Sequence, residues 1–167
     1  MNEDIYAEWL VKRKSPAYLP LIYVGAAILT IIAVYLMISY KFGFIAFIIA
    51  AFGIYIGRRY LSVEYEYIFV TSELSIDRIF SQAFRKNALT IDMNMVESVE
   101  KAGAGQKEQL LQDSQITYMN FTSREEGQET WFIRYNDENK GRCLLEFEPN
   151  DKVLKAMWRC SPSKVHL

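Results

Sequence analysis

The chain has 167 residues, a net charge of −1 and a mean hydropathy of −0.01, enough for one modest domain plus a membrane part. Residues 58–167 carry 15 Lys+Arg against 17 Asp+Glu, and that acidic balance disfavours a nucleic-acid partner. Two cysteines without a CxxC pair, and a single histidine at position 166, are too thin for a zinc site or a Cys–His or Ser–His–Asp relay, so no catalytic residue, metal or cofactor is expected.

The whole-chain averages hide a segregation of apolar and charged residues. No charged residue lies between Lys14 and Lys41, and none between Lys41 and Arg58. The first of these stretches contains 21 apolar or neutral residues from Leu19 to Ser39, the length that spans ~30 Å of hydrocarbon. The second, from Phe42 to Gly57, supplies only 16. At ~1.5 Å per residue that is about 24 Å, so the span has to run on to about Tyr60 with Arg58 and Arg59 snorkelling to the headgroups. Tyr18, Tyr40, Tyr55 and Tyr60 fall where aromatic belts form. A cleaved signal peptide fits poorly, because the first stretch is too long and lacks a small-residue cleavage site.

Basic residues give the pair of helices a direction. Lys12, Arg13 and Lys14 precede it and Arg58 and Arg59 follow it, whereas the turn holds only Lys41. The positive-inside rule then puts both termini and the soluble domain in the cytoplasm of a multi-pass protein of the cell membrane. In the second span Gly43, Ala46, Ala50, Gly53 and Gly57 recur at spacings of three and four, which lines up small residues on one helix face. Ala26, Thr30 and Ala33 of the first span are a matching surface. The face therefore packs within the hairpin, or against a second copy or another protein.

Beyond the hairpin, residues 61–70 alternate as a half-buried strand, and Leu74–Phe80 returns after a turn. Glu64 and Glu66 share one strand face, opposite Val63, Tyr65 and Tyr67, and read as solvated surface. Further strands are expected at Ala88–Met93, around Val96–Val99, at Ile116–Thr122, at Thr130–Asn136 and at Arg142–Phe147, with polar Gly-containing hairpin loops at 123–128 and 137–141. Gln106–Gln115 has helix propensity. Arg85 and Lys86, in the connection before Ala88, are the basic pair that could meet anionic headgroups. The chain ends in an amphipathic helix capped by Asn150, with Val153, Leu154, Met157 and Trp158 as its core stripe, and then a tail at 161–167.

Two runs carry a resemblance. Tyr67-Ile68-Phe69-Val70-Thr71 leads into Leu74-Ser75-Ile76, and Ile91-Asp92-Met93-Asn94-Met95-Val96-Glu97-Ser98-Val99 follows later. Both resemble steps of bacterial pleckstrin-homology-like domains, with Asp92 where those usually carry proline. Over nearly its whole length the chain is similar to small membrane proteins of Gram-positive anaerobes classed as a domain of unknown function. That likeness rests on Val11-Lys12-Arg13-Lys14, Val63-Glu64-Tyr65-Glu66-Tyr67-Ile68-Phe69, Phe147-Glu148-Pro149-Asn150-Asp151 and Ser161-Pro162-Ser163-Lys164-Val165. It brings no catalytic residue with it.

The expected fold is α+β. An N-terminal segment (1–17) precedes a two-helix transmembrane hairpin (18–60), and a pleckstrin-homology-like antiparallel β-barrel of about seven strands with a C-terminal helix fills 61–160. The expected function is a membrane-anchored binding or scaffolding module on the cytoplasmic face. Its expected partners are the lipid bilayer and a protein or second copy, with no nucleic acid. An accessory subunit of a larger membrane complex is the alternative, and a membrane enzyme is less favoured.

Overall fold

In the computed structural model, which describes residues 5–41, 43–103, 105–111 and 115–167, the chain opens with a strand, β1 (Tyr6–Lys12). Two helices follow, α1 (Leu19–Ser39) and α2 (Gly43–Leu61). Then come β2 (Val63–Val70), β3 (Glu73–Phe80), β4 (Phe84–Asp92), β5 (Val96–Lys101), α3 (Gln106–Leu111), β6 (Thr117–Asn120), β7 (Trp131–Asp137), β8 (Gly141–Phe147), α4 (Asp151–Cys160) and β9 (Val165–His166). The side chains of residues 57–61, 108 and 111 lie outside that description.

The strands form two sheets, ordered β1-β2-β3-β4 and β6-β8-β7-β5-β9. They are separate hydrogen-bonded ladders, and among the described residues no closed barrel is formed. Two pairs, β6 with β8 and β5 with β9, are parallel, so the sheets are not purely antiparallel. The segment 121–130 is not a hairpin loop, since β6 pairs with β8 rather than with β7. The sequence outside 61–160 also joins in. Residues 6–12 pair antiparallel with β2, with Lys12 opposite Glu64, and the tail residue Val165 pairs with Val99 and is buried.

Alternation on β2 sends Tyr65, Tyr67 and Phe69 inward, where they meet Leu74 and Ile76 of β3, Leu89 and Ile91 of β4, and Ile133, Leu145 and Phe147 of the second sheet in one core. Helix α4 closes that core against β1, β2 and β9 with Val153, Leu154, Ala156 and Met157. Asn150 starts this helix by accepting a hydrogen bond from the Val153 N–H at 2.9 Å. Trp158, expected in that stripe, is instead 44% exposed. The stripe turns through Ala156 and Met157, and Trp158 lies one step beyond its edge.

Across β2 and β3, Tyr67 ties the sheets together. Its hydroxyl donates to the Phe121 carbonyl at 2.8 Å and accepts from the Glu148 N–H at 3.3 Å, joining the four-stranded sheet to segments that follow β6 and β8. On the outer side of the second sheet, Lys107 of α3 lies 2.9 Å from Glu146 and over the Tyr118 ring. Phe132 and Leu144 are fully buried on this side, outside the main core.

Helix α1 is long and apolar enough to cross a membrane and is almost wholly exposed. The apolar part of α2, Gly43–Ile56, is shorter. The two helices pack on each other.

Candidate functional site

The helices join the sheet at one place. The Arg13 N–H donates to the Val63 carbonyl at 3.0 Å, so the chain leaves the first sheet at the end of β1 and re-enters it on the neighbouring strand. The α1–α2 pair is thus an insertion into what would otherwise be a β-hairpin. Lys12 is the last residue of β1, and Lys14 binds the Ser123 carbonyl through its N–H at 2.7 Å. These basic residues therefore sit where sheet and helices meet. Arg58 and Arg59 belong to the last turn of α2, with side chains outside the described residues.

A cleft of about 750 Å³ opens between the base of the helices and the turn joining β3 to β4. Its helical wall holds Leu19, Tyr23, Ile54 and Tyr55, and its sheet side holds Ser62, Ser81 and Gln82. The cleft thus sets an apolar, aromatic wall against hydroxyl and amide groups. Phe84, 55% exposed, stands next to the same turn with its ring 6.3 Å from that of Phe80.

Arg85 and Lys86 lie in β4 itself, not in a loop. The Arg85 guanidinium reaches Glu66 at 2.7 Å and Asp77 at 4.0 Å, so it serves the sheet, while Lys86 on the opposite side of the strand is exposed. Glu64 and Glu66 are not solvated surface either. Glu66 is 3% exposed, covered by Arg85, and Gln82 reaches Glu64 at 3.5 Å. Burial pushes the Glu66 carboxyl above its ordinary range, against the pull of Arg85 and with help from nearby Glu8. The sequence could not reveal this, because Arg85 and Glu66 are paired only through the β2–β3–β4 register.

The small-residue stripe of α2 divides. Gly43 is buried, and a Cβ on it would lie 1.9 Å from the Leu36 carbonyl oxygen. Ala46 and Ala50 are half-buried, and Ala33 on α1 is buried. Gly53 has nothing within 4 Å of its Cβ direction, and the side of Gly57 lies outside the described residues. Of the α1 residues matched to the stripe, Ala26 is half-buried, and Thr30 is exposed with its hydroxyl bonded to the Ala26 carbonyl.

A second opening, of about 390 Å³, flanks β1, the edge strand of the first sheet. Trp9, Leu10 and Lys12 form one wall, and Ser123, Glu125 and Glu148 the other. Glu148 is 8% exposed and accepts from the Ser123 hydroxyl at 2.9 Å. Burial raises its carboxyl above the ordinary range despite the Ser123 bonds. No local pattern points to this groove, since its walls come from residues more than a hundred positions apart.

No curated protein and no solved structure matches the chain. One family profile does, the bacterial PH-like domain (DUF6106), over residues 3–167. Two sheets with a C-terminal helix packed on their shared core agree with that description, and the match takes in β1 and both helices as well as the sheets. The chain therefore belongs to the bacterial PH-like domain family.

Proposed function

We propose that the protein is a non-enzymatic binding or scaffolding module, anchored by α1 and α2 as a transmembrane hairpin, with both termini and both sheets on the cytoplasmic face. The observation that carries this reading is the pairing of β1 with β2 on either side of the helices. A chain that crossed the bilayer once between Lys12 and Val63 would leave the two strands on opposite faces. If α1 crosses, α2 has to return. As a 19-residue helix α2 is about 28 Å long, close to the ~30 Å of the hydrocarbon core. Five basic residues at the sheet end (Lys12, Arg13, Lys14, Arg58 and Arg59) against Lys41 at the turn favour the cytoplasm for the domain.

The cleft at the helix base and exposed Phe84 support contact with the bilayer surface. Lys86 is the remaining basic candidate there, and a single charge near an anionic surface contributes only ~1 kcal/mol. Alkaline phosphatase fused after Leu167 in a bacterium should be inactive, and the same enzyme inserted at Lys41 should be active. Activity at the C-terminal fusion would overturn the orientation.

The alternative, an accessory subunit of a larger membrane complex or a homodimer, is favoured by one observation, the open surface at Gly53. Cysteines placed at Ala50 and Gly53 should crosslink to a second copy in a homodimer and to heavier mixed adducts in a complex. An isolated hairpin gives neither.

A further inference from the structure

Edge strands expose a row of backbone groups, and proteins usually cover or blunt them. Two bonds fix which groups of β1 are free. The Arg13 N–H meets Val63, and the Ile5 carbonyl meets the Thr71 N–H at 2.8 Å, so odd-numbered residues face β2. Tyr6, Glu8, Leu10 and Lys12 then turn their N–H and C=O groups outward. Among the described residues no backbone group answers them until Lys14 meets Ser123. Trp9 and Leu10 are 41% and 44% exposed along this edge.

The groove beside that edge supplies a chemistry. Across it lies Glu148, nine-tenths buried, with no Lys or Arg within ion-pair distance among the described residues. Glu125 and Glu129 line the same opening, Glu129 already bound to Lys101, and Lys12 is the one basic residue among the lining. Ser123 supplies Glu148 with a hydrogen bond but no counter-charge, so a cation reaching this buried carboxylate is favoured.

We propose that β1 and this groove take an extended peptide from a protein partner, added as a fifth strand to the four-stranded sheet, with a lysine or arginine reaching Glu148. The backbone groups of Leu10 and Lys12 hold the added strand at the usual ~4.8 Å spacing. Trp9 and Leu10 cover its apolar side chains, and the Glu148 carboxylate selects the basic one. The proposal deepens the reading of a binding module and is independent of which side of the membrane the module faces.

The test uses the full chain in nanodiscs and short fluorescent peptides of alternating valine and threonine, with one lysine placed at each position in turn. At least one lysine peptide should bind, a glutamate replacement should bind roughly tenfold more weakly, the scale of one charge-assisted hydrogen bond, and a peptide with prolines at alternate positions should not bind. Leu10→Pro removes an outward N–H without touching the ladder to β2 and should abolish binding. Glu148→Gln should weaken only the lysine peptide, also by about tenfold. Glu126→Gln, outside the groove, should change nothing. Absence of binding by every lysine peptide, binding indifferent to both Leu10→Pro and Glu148→Gln, or self-association through β1 that peptides do not displace would each overturn the proposal. Such a failure in protein that passes the fusion test above removes the peptide and leaves the anchored module standing.

Discussion

Two buried tyrosines sit in the core with opposite consequences. Tyr67 fills both its hydrogen-bonding roles across the sheets, and desolvation drives its hydroxyl far above the usual phenol range, so it stays protonated at every working pH. Tyr67→Phe leaves the Phe121 carbonyl and the Glu148 N–H unpaired and should cost about 1–3 kcal/mol of unfolding free energy. Tyr135 is also buried, but its hydroxyl has no nitrogen or oxygen hydrogen-bond partner among the described residues, only the Cys143 thiol beside it. Deleting that oxygen relieves an uncompensated burial, so Tyr135→Phe should be neutral or stabilise by about 1 kcal/mol. Urea denaturation of the two variants in parallel reads the contrast, and an equal loss in both would overturn the reading of Tyr135 as uncompensated.

Among the elements, α3 is held to the second sheet by a contact that titrates. Desolvation alone would raise the Glu146 carboxyl, but hydrogen bonds from Lys107 and Tyr118 outweigh it and hold the group below its ordinary 4.5. Lys107, although partly desolvated, is raised above its ordinary 10.5 by its contacts with Glu146 and Tyr118. The stabilisation is therefore complete above pH 4.5, persists through neutral pH, and is lost as pH falls through the folded value of Glu146. Amide protection in α3 should fall on acidification before that of β7, while Lys107→Met should make it low and independent of pH. Along α2, Gly43→Ala should disturb the hairpin turn, because its Cβ has no room beside Leu36. Gly53→Ala should leave a monomer untouched, so any loss of an assembled species on that change identifies a partner at this face. Much of this was legible in the sequence. The apolar run Leu19–Ser39 gives α1 its bounds, and Asn150 announces α4. Strand β1 was not legible. Tyr6-Ala7-Glu8-Trp9-Leu10-Val11-Lys12 breaks the apolar alternation at Trp9-Leu10-Val11, and its partner lies beyond both helices. The two-residue β9, in a Pro- and Ser-containing tail, has no local signal at all. The same long-range pairing hides the groove at Glu148 and turns Glu66 from an exposed carboxylate into a buried one.

For the whole molecule, the sheet domain is not the contiguous stretch after the helices. A chain starting at Ser62 lacks β1, uncovers the edge of β2, and removes Ala7 and Val11 from the core. It should aggregate or unfold readily. A chain in which Arg13 is joined to Val63 through a two-residue Asn-Gly turn keeps β1 and closes the gap that the helices occupied. It should be soluble and unfold cooperatively, and circular dichroism with size-exclusion chromatography decides between the two. If the shorter chain proves as stable as the joined one, β1 is dispensable.

The interruption of a strand pair by the helices also bears on how the protein is made. β1 leaves the ribosome first and has to wait for the 50 residues 13–62 before its partner appears, roughly 3–10 s at ~5–20 residues per second. In the proposed transmembrane hairpin, the helices enter the bilayer during that interval. If α2 fails to return, β1 and β2 are separated by the membrane and the sheet cannot form. On that proposal, completion of the domain is conditional on correct insertion. A mis-inserted chain would display an unfinished sheet, with Tyr65, Tyr67 and Phe69 open to the proteases and chaperones that survey newly made membrane proteins.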